Sequence, residues 1–202
     1  LSNNDGCVIA RSNESKALGI KMGVPVFQIK NIIEQHRVQL FSSNFTLYGD
    51  LSKRVMSTIK QEVKAMEIYS IDEAFMDFSG ESNPLEKGIT IKKKVQQHIG
   101  IPISIGIAPT KTLCKVAGLI AKKYTKSGVF VLNDTAIIER VLKWLPVENL
   151  WGVGRGHARK LNDVGIKTAY DLCRADDSWI RRRLSVVGLR VVKELRGTLC
   201  FA

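Results

Sequence analysis

Ser70-Ile71-Asp72-Glu73-Ala74-Phe75 sets two carboxylates side by side within Glu67–Phe78, a stretch otherwise rich in β-branched and aromatic residues. That composition favours strands, and the acidic pair falls where two antiparallel strands would connect. A tight connection relaxes the alternation that sends strand neighbours to opposite faces, so both carboxylates can face solvent. Hard cations such as Mg²⁺ take carboxylate oxygens, keep several waters and reach phosphates, so one Asp and one Glu can form part of a two-metal phosphoryl-transfer site. They cannot complete it alone, because two ions about 4 Å apart usually need a further carboxylate between them. Without cations, mutual repulsion should leave the pair loosely ordered. An acidic surface turn is the competing reading.

Three other groups could bind anions. Lys111, Lys115, Lys122 and Lys123 stand among apolar Leu113, Val116 and Ile120, with no acid between Pro109 and Lys126. Such ammonium groups suit phosphate, although a solvated helix face gives the same pattern. Gly152-Val153-Gly154 precedes a helix carrying Arg155, Arg159 and Lys160, with Val164-Gly165-Ile166 after it. Glycines let backbone approach a ligand and the next helix's first amides favour an anion, as in a helix-hairpin-helix gripping a DNA backbone without reading bases. Glycine as a mere turn former competes. Arg11 and Lys16 lie near a strand-to-helix junction where a phosphate could sit, as they would on any short surface helix.

The elements that must position these groups follow from period and punctuation. Cys7–Ala10 reads as a short strand, Ser12 as the N-cap of a helix through Leu18 that stops at Gly19, and Val26–Glu34 as a second short helix. Leu51, Val55, Ile59 and Val63 recur every four residues on a helix for which Asp50 is the expected cap. Asn83-Pro84 starts another helix, Pro102–Ile107 and Gly128–Leu132 read as strands, and Thr110 caps a helix to about Lys123. Beyond Asp134 only helices are expected. The alternation between Asp50 and Leu132 describes an α/β or α+β layer with helices on one sheet, followed by an all-helical part.

The 202 residues carry a net charge of +12 and a pI near 9.7, favouring a polyanionic partner. From Trp151 to the end, 11 Lys/Arg face 5 acids, which concentrates basic charge beside the Gly-Val-Gly segment. With 45% apolar residues the chain can bury a core without staples. Its four cysteines form no CxxC pair and lie apart from the three histidines, against a zinc finger, a redox dithiol or a disulfide framework. The expected setting is a reducing cytoplasm, with no membrane span. Opening on Leu1-Ser2 rather than Met, with no signal-peptide pattern, the chain reads as a piece of something longer.

Taken in order, Leu1–Arg11, Lys16–Gly23, Phe41–Phe45, Ile68–Phe75, Gly106–Lys115 and Leu150–Gly154 resemble the Y-family DNA polymerases, and within them the UmuC type of the polymerase V group (ImpB/MucB/SamB). The resemblance implies an α+β fold, with fingers at 1–44, a palm at 45–132 whose helices lie on a mixed or antiparallel sheet, and an all-helical, helix-hairpin-helix thumb at 133–202. It also implies that Asp72 and Glu73 bind two catalytic Mg²⁺ ions and that Lys122 contacts the incoming deoxynucleoside triphosphate. Lys16 takes the place of a fingers Arg of many members and Asn13 that of its partner Tyr, with Arg11 nearby; a lysine keeps the charge and loses a bidentate clamp. Primer-template DNA would lie on Gly152, Val153, Gly154, Arg155, Arg159 and Lys160. The implied parent carries a first palm strand before Leu1 and a little finger after Ala202. It would perform translesion synthesis in the SOS response and work with a UmuD-type subunit, a recombinase filament and a sliding clamp. The alternatives are a noncatalytic DNA-binding module with a degenerate palm, and a helix-hairpin-helix repair nuclease or glycosylase, the glycosylase disfavoured by the expected strands.

Overall fold

The computed structural model describes residues 1–201 as two compact units, Leu1–Lys53 and Arg54 onward. The architecture is α+β.

In the first unit, Val8, Ile20 and Ile29 form a small core ringed by Leu1, Leu18, Val24, Ile32, Ile33 and Val38. The expected strand at Cys7–Ala10 shrinks to one antiparallel bridge, Cys7 to Pro25. Pro25 has no N–H to extend a ladder, and Gly23, at φ 80°, bends the chain just before it. Helix α1 (Asn13–Ala17) is capped as expected, Ser12 accepting the Ser15 N–H, and Gly19 turns the chain at φ 78°. A 3-10 turn, Val26–Ile29, leads into α2 (Lys30–His36). Helix α3 runs Phe45–Lys60, six residues longer at its start than Asp50 as cap implied. Asn44, itself a strong capping residue, accepts the Leu47 N–H at 3.0 Å, so Asp50 lies inside the helix.

The second unit contains two separate strand pairs rather than one sheet. Strands β1 (Met66–Ile68) and β2 (Ala74–Met76) are antiparallel, with Glu67 opposite Phe75. Strands β3 (Ile105–Ile107) and β4 (Val129–Val131) are parallel. Parallel neighbours need a crossover, here helix α5 (Lys111–Tyr124), capped by Thr110. Helix α4 (Pro84–Ile99), capped by Asn83, ends at Gly100.

Alternation along β3 and β4 divides two cores. Ile105, Ile107 and Val129 join Val55, Ile59, Ile91 and Val95 of α3 and α4. Phe130 turns the other way, toward the core of α5 and the helices that follow. Gly106 lets α5 close on β3: a Cβ there would stand 2.1 Å from the Gly118 nitrogen. Only glycine fits at that crossing.

Helices α6 (Thr135–Trp144), α7 (Arg155–Asp163), α8 (Ala169–Cys173) and α9 (Asp177–Leu195) complete the chain. Helix α9 is interrupted at Ser185, whose φ of 69° and ψ of −176° are unusual for any residue but glycine. The core of this part is continuous with α5 through Leu113, Val116, Ala117 and Ile120. Glu194, fully buried on α9, anchors the junction. Its carboxylate accepts from the Thr112 N–H and hydroxyl, both at 2.8 Å, and from the amides of Cys200 and Phe201 at 3.2 and 3.0 Å.

Candidate active site

Tyr69 to Glu73 connect β1 to β2, and the amides of Tyr69 and Ser70 both donate to the Glu73 carbonyl at 3.0 Å. That closure puts Asp72 and Glu73 at the exposed tip, where adjacency would otherwise part them. Each carboxylate has its own partner, and the one on Glu73 is a cation. The Ser70 hydroxyl donates to Asp72 Oδ1 at 2.7 Å, and Lys115 Nζ lies 2.5 Å from Glu73 Oε1.

Register explains the second partner. Glu67 and Tyr69 sit two apart on one arm, Glu73 and Phe75 two apart on the other, so all four share a face. On α5, Lys111 and Lys115 are four apart and share a face too. The faces meet: Lys111 pairs with Glu67 and Lys115 with Glu73. Lys115 Nζ also stands 5.1 Å from the Tyr69 ring centroid, 5.6 Å from Trp151 and 5.9 Å from Phe75, while Lys111 lies 5.2 Å from Phe75. Trp151 in turn packs edge-on against Tyr69 at 5.6 Å and Phe201 at 5.4 Å.

These contacts revise the reading of the four lysines as one phosphate cluster. The first two neutralise hairpin acids, while Lys122 is exposed near the C-terminal end of α5, about 10 Å along the axis from Lys115.

In the first unit, Lys16 Nζ donates to Asn13 Oδ1 at 3.3 Å on exposed α1, so these two candidates are brought together. Arg11 is partly committed to the fold, its Nη1 donating to the Ile20 carbonyl at 3.2 Å. Its Nε is buried without a hydrogen-bond partner.

Ahead of α7, Gly152 adopts φ 82° and Gly154 is an N-cap without a side-chain bond to the first turn, so the helix's opening amides receive no side-chain cap. Arg155, Arg159 and Lys160 are exposed, Ala158 and Leu161 are buried, and Val153 packs against the core.

For a divalent cation the chemistry of the donors is right: two adjacent, exposed, hard-oxygen groups. Asp72 and Glu73 fit as two protein ligands. Among the described residues no group of three or more acids, histidines or cysteines gathers to hold a metal.

The model of the impB/mucB/samB family matches residues 1–118, more than half of the chain. The chain belongs to the impB/mucB/samB family. It is 46% identical over 205 residues to protein UmuC of Salmonella typhimurium, covering 99% of this chain and 49% of that protein. It is 32% identical to DNA polymerase IV 1 of Bacillus subtilis over 195 residues, 95% of this chain and 46% of that one. The chain thus spans about half the length of these curated relatives. Among solved structures, a Y-family DNA polymerase chimera superposes with a TM-score of 0.80 over 96% of this chain and 57% of the other, at 24% identity. This family member therefore has the Y-family polymerase fold over nearly its whole length.

What the sequence reading missed in this impB/mucB/samB member is the counterpart of the acids. The signal was present in the spacings 67/69, 73/75 and 111/115, but it needed the docking of α5 on the hairpin to be read.

Proposed function

We propose that this chain is the catalytic half of a template-directed translesion DNA polymerase that adds deoxynucleotides to a primer 3′ end. The observation that carries the reading is the exposed carboxylate pair at the β1–β2 tip, fixed by its own backbone closure, in a member of the impB/mucB/samB family. Asp72 and Glu73 would hold the catalytic divalent cations, Mg²⁺ by preference for hard oxygen. Two such ions, when bound, lower the cost of the attacking 3′ oxyanion and neutralise charge on the leaving pyrophosphate.

The chain's own residues bind and orient. In the second unit Lys122 offers a point charge to a triphosphate, and in the first unit Lys16, held against Asn13, and Arg11 are nucleotide-binding candidates in their own right. Gly152 to Gly154 bring backbone close to a DNA strand, the first amides of α7 face its phosphates, and Arg155, Arg159 and Lys160 supply sequence-independent attraction. Fingers over 1–44, palm over 45–132 and thumb over 133–202 are the division that fits these roles. The relatives' greater length leaves room for further DNA contacts and for a UmuD-type subunit, a recombinase filament and a sliding clamp.

The test is single-turnover primer extension by a protein carrying this chain together with the remaining half of its relatives' length. Asp72→Asn and Glu73→Gln should each lower the rate at least a hundredfold while leaving duplex affinity within twofold, because the basic face of α7 is untouched. Arg159→Ala with Lys160→Ala should do the reverse, weakening duplex binding at all sequences and flattening its salt dependence. Equal extension by Asp72→Asn and the unsubstituted protein would sink the polymerase reading and favour a noncatalytic DNA-binding module.

A further inference from the structure

Reading Asp72 and Glu73 as cation ligands meets a fact of the hairpin: Glu73 already has a cation. The Lys115 side chain is 20% exposed against 47% for Glu73, so the ammonium, not the acid, is the shielded member of the pair. Three aromatic rings, Tyr69, Trp151 and Phe75, stand within 6 Å of its nitrogen. A carboxylate on one side and ring faces on the others make a walled place for one positive charge. A divalent ion beside Glu73 would lie within a few ångströms of that charge, and like charges at such range repel strongly where water is partly excluded.

The geometry points to Lys115 as a resident competitor for the cation site. In the free protein its ammonium closes Glu73. A divalent cation must displace it, and the flexible four-carbon stem lets the ammonium withdraw while the rings keep it close. The hairpin thereby exchanges one cation for another and never carries two unpaired acids. The apparent metal affinity is reduced by the fraction of time that Glu73 is closed. This inference rests on the proposed role of Asp72 and Glu73. Lys111 supplies the control, since it lies over the same Phe75 ring one turn earlier but pairs with Glu67.

The experiment is Mn²⁺ binding to the 202-residue chain, followed by the electron paramagnetic resonance of the free ion at low salt. Glu73→Gln should weaken binding severalfold. Lys115→Met should tighten it roughly threefold to tenfold, and Lys111→Met should stay within twofold. Lys115→Arg, whose fork closes a carboxylate more firmly, should weaken it, and this variant decides the matter if the methionine variant misfolds. As a second readout, Mg²⁺ should shift Trp151 fluorescence in a chain carrying Trp144→Phe and Trp179→Phe, and the shift should vanish with Lys115→Met. Equal tightening by Lys111→Met and Lys115→Met would mean a diffuse field rather than competition and overturns the inference. So does no change with either Lys115 variant while Glu73→Gln still weakens binding, which leaves the carboxylate reading standing. No effect of Glu73→Gln overturns that reading and the inference with it.

Discussion

The two strand pairs of the second unit share one apolar core, to which β1–β2 adds Met66 and Met76, and differ in what they turn toward α5. The parallel pair β3–β4 is closed on both faces, with apolar side chains toward α3 and α4, and with Phe130 and a glycine-only contact toward α5. The antiparallel pair β1–β2 reaches α5 through two ion pairs and a ring of aromatics, and its tip is exposed. Close packing tolerates no adjustment, whereas charges and rings can trade partners. A closely packed scaffold thus stands beside a hairpin whose contacts with α5 can rearrange.

The largest way to break the contrast is Gly106→Ala. Its Cβ would meet backbone of α5 rather than a side-chain end, so neither element can yield locally. Chemical denaturation should show a loss of about 3 kcal/mol, the upper part of the overpacking range. A loss under 1 kcal/mol would mean that α5 can slide on β3.

On the hairpin the same measurement should barely respond. Glu67→Gln removes one ion pair whose carboxylate is half-exposed, and the expected loss is below about 1 kcal/mol, shrinking further in high salt. Asp72→Asn should fall within about 0.5 kcal/mol of the unsubstituted chain, since an exposed amide still accepts from the Ser70 hydroxyl. A hairpin variant as costly as Gly106→Ala would erase the distinction between scaffold and site.

The smallest effect is one of pH. Asp77, just beyond β2, has its pKa held below the ordinary 3.8, chiefly by the Ser79 hydroxyl and then by the Ser79 amide. A carboxylate lowered in the folded state contributes stability that is present above its unfolded value and is lost as pH falls through the folded one. The window therefore lies in acid, below about pH 4. Carboxyl NMR titration should place Asp77 below the unfolded value, and Ser79→Ala should bring it back toward 3.8.

Features set by neighbours along the chain were legible in the sequence. Ser12, Asn83 and Thr110 cap the helices assigned to them, and the acidic pair lies between two antiparallel strands as its surroundings implied. Asp50 misled because two good caps stand six residues apart and the apolar stripe alone does not say which begins the helix. The Cys7–Ala10 strand failed because its partner contains Pro25. The Glu73–Lys115 pair spans 42 positions in the chain, and no local rule reaches so far. Ser185 hides its left-handed backbone behind a residue type that gives no sign of it.

The Glu194 carboxylate gathers donors from Thr112, 82 positions away, and from Cys200 and Phe201 just beyond its own helix. Those segments converge only when α5, α9 and the closing residues are all in place, so a half-assembled chain has no substitute for the water it strips from this charge. The group therefore favours all-or-none assembly. In kinetic terms its bonds are expected to form late, so that in a chevron measurement Glu194→Gln should leave refolding nearly unchanged while hastening unfolding. It would act as a brake on coming apart.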